Sequence, residues 1–261
     1  MPLSSFDLFS DSSLKSYETP EDITTSFLKD FNDTLENNGD PPKKPSGYYK
    51  PSSMNCLRRM YYLGKQIVPI NVKQEAIRIS AGQSGTDRHD RIQKTIMSME
   101  SQGKDCKWVD VGDYISEHPE LCLEVVSKNG NETHCHSHVY NLSFLCDGLI
   151  IYKGVPYILE IKTEGLSKWL GRNCPSEYHE NQVTCYSLCF NISKVLFVYE
   201  NRDNCVKKAF IYNVTDDKLN SIKDLITTCN GYLERNCTPP KTNVKYNCTY
   251  CEYKEYCKSD K

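Results

Sequence analysis

Two carboxylates and a lysine are the first residues whose spacing suggests chemistry. FLCDGLIIY and VPYILEIKT are apolar runs rich in β-formers, separated by Lys153-Gly154, the two-residue loop of a tight hairpin. Such a loop places Asp147 directly opposite Glu160, on one sheet face with Cβ atoms about 4.5–5.5 Å apart. At that separation two carboxylates repel each other unless a hard cation sits with them. Lys162, two residues beyond Glu160, falls on the same face. A cation held by such acids polarises a phosphoryl oxygen and acidifies bound water, and the ammonium holds the nucleophile or offsets charge in the transition state. The alternative is a solvated face bearing a Glu–Lys pair, although unpaired acids are costly in strands this apolar. A three-residue turn would change the pairing.

Other candidates follow helical spacing. His89 shares an inward stripe with Ile92, Ile96 and Met99, and is either a ligand or a satisfied core histidine. Gln182 and Tyr186 stand four apart, so one helical face presents an amide and a phenol, a pair that packing alone also explains. The tail reads Cys248-x2-Cys251-x5-Cys257, and Cys56 lies far upstream in SSMNCLRRMYY. The opening MPLSSFDLFSDSSLK lacks the basic start and apolar block of an export signal, so the fourteen cysteines are expected to be reduced, and ligation competes with plain burial. Four thiolates also suit tetrahedral zinc. Most of the remaining ten cysteines read as small buried hydrophobes. His134, His136 and His138 alternate onto one strand face, with no partnered acid or cysteine spacing to recommend a zinc site.

Gly85-Thr86-Asp87-Arg88-His89, then Asp147-Gly148, then Glu160-Ile161-Lys162-Thr163, then Gln182-x3-Tyr186 form an ordered set. That set resembles the PD-(D/E)XK nucleases, specifically the RecB-type branch that includes Cas4-like exonucleases. Cys56 with the C-x2-C-x5-C tail resembles the iron–sulfur arrangement of Cas4-like and AddB-type members. The resemblance covers about residues 47–257 and leaves the first 46 outside it. It implies Mg2+ or Mn2+ held by His89, Asp147, Glu160 and the Ile161 carbonyl, with Lys162 orienting water and Gln182 and Tyr186 supporting the site. It further implies a [4Fe-4S] cluster on Cys56, Cys248, Cys251 and Cys257, preferred to zinc, in a stapling role. Lys168, Trp169 and Arg202 read as weaker DNA contacts, through phosphate or base stacking, or as ordinary surface residues. His179 lies one turn before Gln182.

These residues need elements to carry them. Thr19-Pro20-Glu21-Asp22 announces a helix to about Glu36, with Ile23, Phe27, Phe31 and Leu35 on one face. A Pro-rich linker follows to Ser46. Helices are expected near 52–63, 72–82 and 84–101, then strand-rich sequence over 107–163, a helix at 177–190, strands at 195–200 and 206–214, and a helix over 216–235. The order implies an α/β fold, one mixed sheet flanked by helices, matching the restriction-endonuclease-like core that the resemblance implies. Residues 1–46 form an acidic leader and 47–261 the main domain, whose metal-cluster staple joins Cys56 to residues 240–257.

The 261 residues contain no run approaching a membrane span, and mean hydropathy is −0.60. A cytoplasmic protein is expected, in host cytoplasm if phage-encoded. Residues 1–42 carry nine acids against two bases, which leaves the remainder at net +5. That permits a positive groove without demanding nucleic acid. No phosphate loop of the G-x4-G-K-[ST] type is present, so unwinding would require a helicase or recombination partner. The expectation is a metal-dependent deoxyribonuclease, foremost an exonuclease on single-stranded DNA ends. A structure-selective endonuclease, or a non-catalytic nucleic-acid-binding protein with a zinc or iron–sulfur module, is the alternative.

Overall fold

The computed structural model describes residues 19–38, 42–70, 76–241, 248–249 and 251–259. The part of the acidic leader before Thr19, part of the linker, the start of the helix expected from residue 72 and part of the cysteine tail lie outside them. The chain divides into two units, one comprising residues 1–40 and 73–81 and the other the rest.

In the first unit, α1 (Pro20–Asn37) opens on a complete capping box. Thr19 Oγ1 accepts from the Asp22 amide, and the Asp22 carboxylate accepts from the Thr19 amide. Its apolar residues Ile23, Phe27 and Phe31 are exposed, with the two phenylalanine rings stacked.

The second unit is built on a five-stranded sheet, ordered β1 (Cys106–Val109), β5 (Gly148–Tyr152), β6 (Val155–Glu164), β7 (Lys194–Asn201) and β8 (Lys207–Asn213). Only β6 and β7 run parallel. A crossover through α5 (Leu166–Leu170) and α6 (Glu177–Phe190) joins them, as parallel neighbours require. Helices lie on both faces, so β6 reads as a nearly continuous apolar run rather than an alternating one. One face packs Phe197 and Tyr199 with Val183 and Phe190 of α6, continuing to α2 (Leu57–Gly64) and α7 (Asp216–Glu234). The other packs Leu159 and Ile161 against Ile92 of α3 (Ala76–Met97).

The expected mixed sheet flanked by helices is thus present, and a second sheet accompanies it. β2 (Leu123–Asn129), β3 (Glu132–Ser137) and β4 (Leu142–Cys146) form a three-stranded antiparallel sheet. The chain leaves the small sheet at Cys146 and enters the large one at Gly148. Asp147 is the residue between.

Two further differences have local causes. The helices expected on either side of residue 83 are one, α3, because Gly82 and Gly85 meet no neighbouring atoms and neither adopts a left-handed backbone, so nothing stops the helix there. Within the strand-rich stretch sits α4 (Val111–Glu117), whose cap Asp110 accepts from the Gly112 and Asp113 amides. The tail ends in α8 (Lys254–Ser259).

Candidate active site

The β5–β6 hairpin turns on Lys153-Gly154, both with positive φ (51° and 74°), as a two-residue turn of this hand requires. Its register runs from Tyr152 opposite Val155 to Gly148 opposite Leu159, and one further step sets Asp147 against Glu160. Glu160 is 2% exposed and Asp147 7%. Asp147 Oδ2 accepts from the Ile161 amide at 2.7 Å, and Gln93 of α3 donates to the Asp147 carbonyl at 2.7 Å. The acid is therefore fixed from both sides.

Lys162 Nζ is ion-paired with Glu160 and donates to Gln182 Oε1 at 3.2 Å. Gln182 in turn donates to the Tyr186 hydroxyl at 2.7 Å. Residues of β6 and of α6 thus form one chain, Glu160, Lys162, Gln182, Tyr186. Burial pushes the Glu160 carboxyl up to about 7 and Asp147 adds to the rise, against the pull of Lys162. Burial disfavours the Lys162 ammonium, yet Glu160 and Asp147 hold its pKa above the ordinary lysine range.

His89 reaches the same place from α3, with Nδ1 3.2 Å from Asp147 Oδ1 and 3.8 Å from Glu132 Oε1. Burial opposes its charge, but Asp147 and Glu132 raise it to about 10. Glu132, at the start of β3, belongs to no motif read from the sequence. Its ligand oxygen, an Asp147 oxygen and a His89 nitrogen all lie within 4.8 Å of one another, the only such group of three His, Cys, Asp or Glu side chains among the described residues. The one local hint was the Gly130-Asn131 turn before it.

The weaker candidates lie just past the end of β6. Lys168 and Trp169 are on α5, and the Trp169 ring has the Lys208 ammonium 4.2 Å from its centroid, so one face is already covered. The Arg202 amide donates to the Glu164 carbonyl, and its own carbonyl accepts from Arg88. His179 pairs with the Tyr199 hydroxyl at 2.8 Å. Burial and then Lys162, Arg172 and Lys168 push it down to about 3, so it stands neutral behind the lysine. On the small sheet, His134 pairs with Ser143, while His138 pairs with Glu124 and Tyr48 and His136 stacks on the Tyr48 ring. His136 and His138 thus share Tyr48 and Glu124, and Glu124 is the partnered acid that the sequence pattern did not reveal.

Cys56, Cys248, Cys251 and Cys257 all line one cavity of about 440 Å3, together with Arg58 and Arg59. The tail is anchored to α2 by side chains. Arg58 donates to the Pro239 carbonyl at 2.8 Å and the Cys257 carbonyl at 3.5 Å. Arg59 grips Glu252 through two nitrogens, and the fully buried Tyr253 packs against Tyr62. No disulfide joins these thiols.

No family model matches the chain, and no curated protein matches it in sequence. Solved structures similar to it include SSO0001, at 16% identity and a TM-score of 0.45, over 90% of this chain and 96% of that one. An alkaline exonuclease, LHK-Exo from Laribacter hongkongensis, is similar at 15% identity and a TM-score of 0.43, over 73% of this chain and 89% of its own. The same enzyme in complex with dAMP gives 16% and 0.38 over the same shares. Among the described residues no helix is long and apolar enough to cross a membrane.

Proposed function

We propose that the protein is a divalent-cation-dependent deoxyribonuclease acting at single-stranded DNA ends, with residues 47–261 as its catalytic domain. The observation that carries this reading is the buried, opposed pair Asp147 and Glu160, joined through Lys162 to Gln182 and Tyr186. A hydrophobic sheet does not accumulate acids at this density without a cationic partner. On the resemblance, His89, Asp147, Glu160 and the Ile161 carbonyl would hold Mg2+ or Mn2+, a donor set of oxygens with one imidazole that suits a hard divalent ion; of these side chains His89 and Asp147 fall in one close group. Such an ion, when bound, polarises the phosphodiester and lowers the pKa of its water.

The chain's own residues supply the rest. The Ile161 amide orients the Asp147 carboxylate. Lys162 holds the attacking water or stabilises charge on the phosphoryl oxygens. Gln182, braced by Tyr186, accepts a second hydrogen bond from the ammonium that pairs with Glu160. Lys168 and Arg202 are proposed as phosphate contacts beyond β6. The net charge of +5 on residues 43–261 is too small for tight phosphate binding to be the whole purpose, which favours catalysis over passive binding.

For the four cysteines we propose a [4Fe-4S] cluster. Cys56, Cys248, Cys251 and Cys257 line one cavity, and the C-x2-C-x5-C spacing with a remote fourth cysteine supports a cluster in preference to a single zinc ion.

The test is cleavage of end-labelled linear single-stranded DNA by anaerobically prepared protein with Mg2+, Mn2+ or EDTA. Wild type is expected to cleave in a metal-dependent way, whereas Glu160→Ala should bind DNA and leave it intact. Cleavage by that variant would overturn the assignment. A circular single strand, which has no ends, should survive; its degradation would indicate an endonuclease instead.

A further inference from the structure

Helix α6 touches both of the sites described above. Tyr178, near its start, lines the cysteine cavity together with Ser52, Asn55 and Cys56. Gln182, one turn later and about 6 Å farther along the axis, accepts from Lys162. The wall of one site and a partner of the lysine in the other are thus carried on a single turn of helix.

Side chains tie that turn to the segment leading into Cys56. The Tyr178 hydroxyl donates to the Ser52 carbonyl at 2.9 Å, and Asn181 Nδ2 donates to Asn55 Oδ1 at 2.8 Å. The Ser52 carbonyl accepts a second bond, from Arg59 at 3.0 Å, and Arg59 in turn grips Glu252, the neighbour of Cys251. Polar contacts therefore run from the cysteine tail through Arg59, Ser52 and Tyr178 to α6, and leave it again from Gln182 through Lys162 to Glu160.

We propose that α6 couples the two sites: a filled cysteine cavity fixes Tyr178 and Asn181, which set the position of Gln182 and, through it, of the Lys162 ammonium. Tyr178 and Asn181 are positioning residues. The inference rests on the nuclease and cluster readings and deepens them, because it assigns regulation of the carboxylate site to the cysteine site. The physical cause is competition. Glu160 and Gln182 share the ammonium; when the tail loosens and α6 shifts, the ammonium is left to Glu160 and opposes a divalent cation at that carboxylate. An emptied cysteine site then weakens cation binding, and a coupling of this kind is reciprocal.

Mn2+ binding, followed by the loss of free-ion electron paramagnetic resonance signal, tests this without reference to cleavage. Full-length wild type is titrated with its iron in place and again after the iron has been removed; removal should weaken Mn2+ binding about fivefold or more, the lower end of couplings between sites. The paired variant Tyr178→Phe with Asn181→Ala should keep its iron absorbance, bind Mn2+ as weakly as emptied wild type, and respond little to removal of iron. Melting curves establish which of these proteins are folded. If emptied wild type unfolds, the iron-loaded variant decides alone, and a Mn2+ affinity equal to that of loaded wild type would overturn the proposal. Equal affinity in loaded and emptied wild type would overturn the coupling and leave the nuclease reading standing, and a full response to iron removal in the paired variant would overturn the part given to α6. Wild type that binds no Mn2+, or holds no iron, would overturn the proposal together with the reading it rests on.

Discussion

Asp147 depends on the residue after it. A Cβ at Gly148 would run into the Trp108 ring, with Cζ2 and Cζ3 at 2.9 Å, and the indole is rigid and held in the core beside Ile92 and Ile161. Gly148→Ala must therefore move either the β5 backbone or the tryptophan. Overpacking of this kind costs about 1–3 kcal/mol, or a melting temperature lower by roughly 2–10 °C for a chain of this size. Thermal unfolding followed by circular dichroism measures it, and an unchanged melting temperature would show that Trp108 has room to yield. The sequence made much of this residue scale legible. A two-residue loop and a strand period of two were enough to oppose Asp147 and Glu160 and to place Lys162 beside them. Glu132 was not legible, because its approach depends on a separate sheet whose register no local pattern reveals.

Among the elements, α3 is the one that locks the site to the sheet. His89 and Gln93 reach Asp147, while Arg88 and Arg91 on another side of the helix reach Glu200 of β7. Glu200 is fully buried, and although burial works against its charge, hydrogen bonds from Arg91, Lys207 and Arg88 hold its carboxyl down at about 2. His179 of α6 is held near 3 by burial and adjacent cations. Both groups bind protons more weakly in the folded chain than in the unfolded one, so stability falls as pH falls. For His179 the loss begins below the unfolded value of about 6.5 and is complete near 3; for Glu200 it runs from about 4.5 to about 2. Glu160, raised to about 7, acts in the opposite sense between pH 7 and 4.5, so the prediction is a difference: between pH 6.5 and pH 3 wild type should lose more melting temperature than His179→Phe. Equal losses in the two proteins would contradict the buried neutral histidine. Sequence periodicity found α3 but split it, since glycines ordinarily weaken helices, and it overlooked α4, for which Asp110 was the available capping signal. The second sheet escaped notice because alternation identifies strands, whereas the assignment of a strand to one sheet or another depends on long-range pairing.

At the scale of the molecule, the cysteine cavity joins chain segments nearly two hundred residues apart, from Cys56 to the tail. Arg58, Arg59 and Tyr253 already hold the tail, so removal of one ligand should loosen this region rather than unfold the domain. By analogy with a lost cross-link of about 2–4 kcal/mol, Cys257→Ser should melt roughly 5–15 °C lower. It should also lack the iron absorbance of anaerobically prepared wild type, and iron-free wild type of undiminished melting temperature would remove the stapling role. The crossing at Asp147 has a different consequence. A residue that bridges two sheets registers any shear of one against the other, and here it does so through the hydrogen bond from the Ile161 amide to its carboxylate. Hydrogen exchange at that single amide thereby becomes a strain gauge for the carboxylate site: slow when the sheets move as one body, and fast when they slide independently.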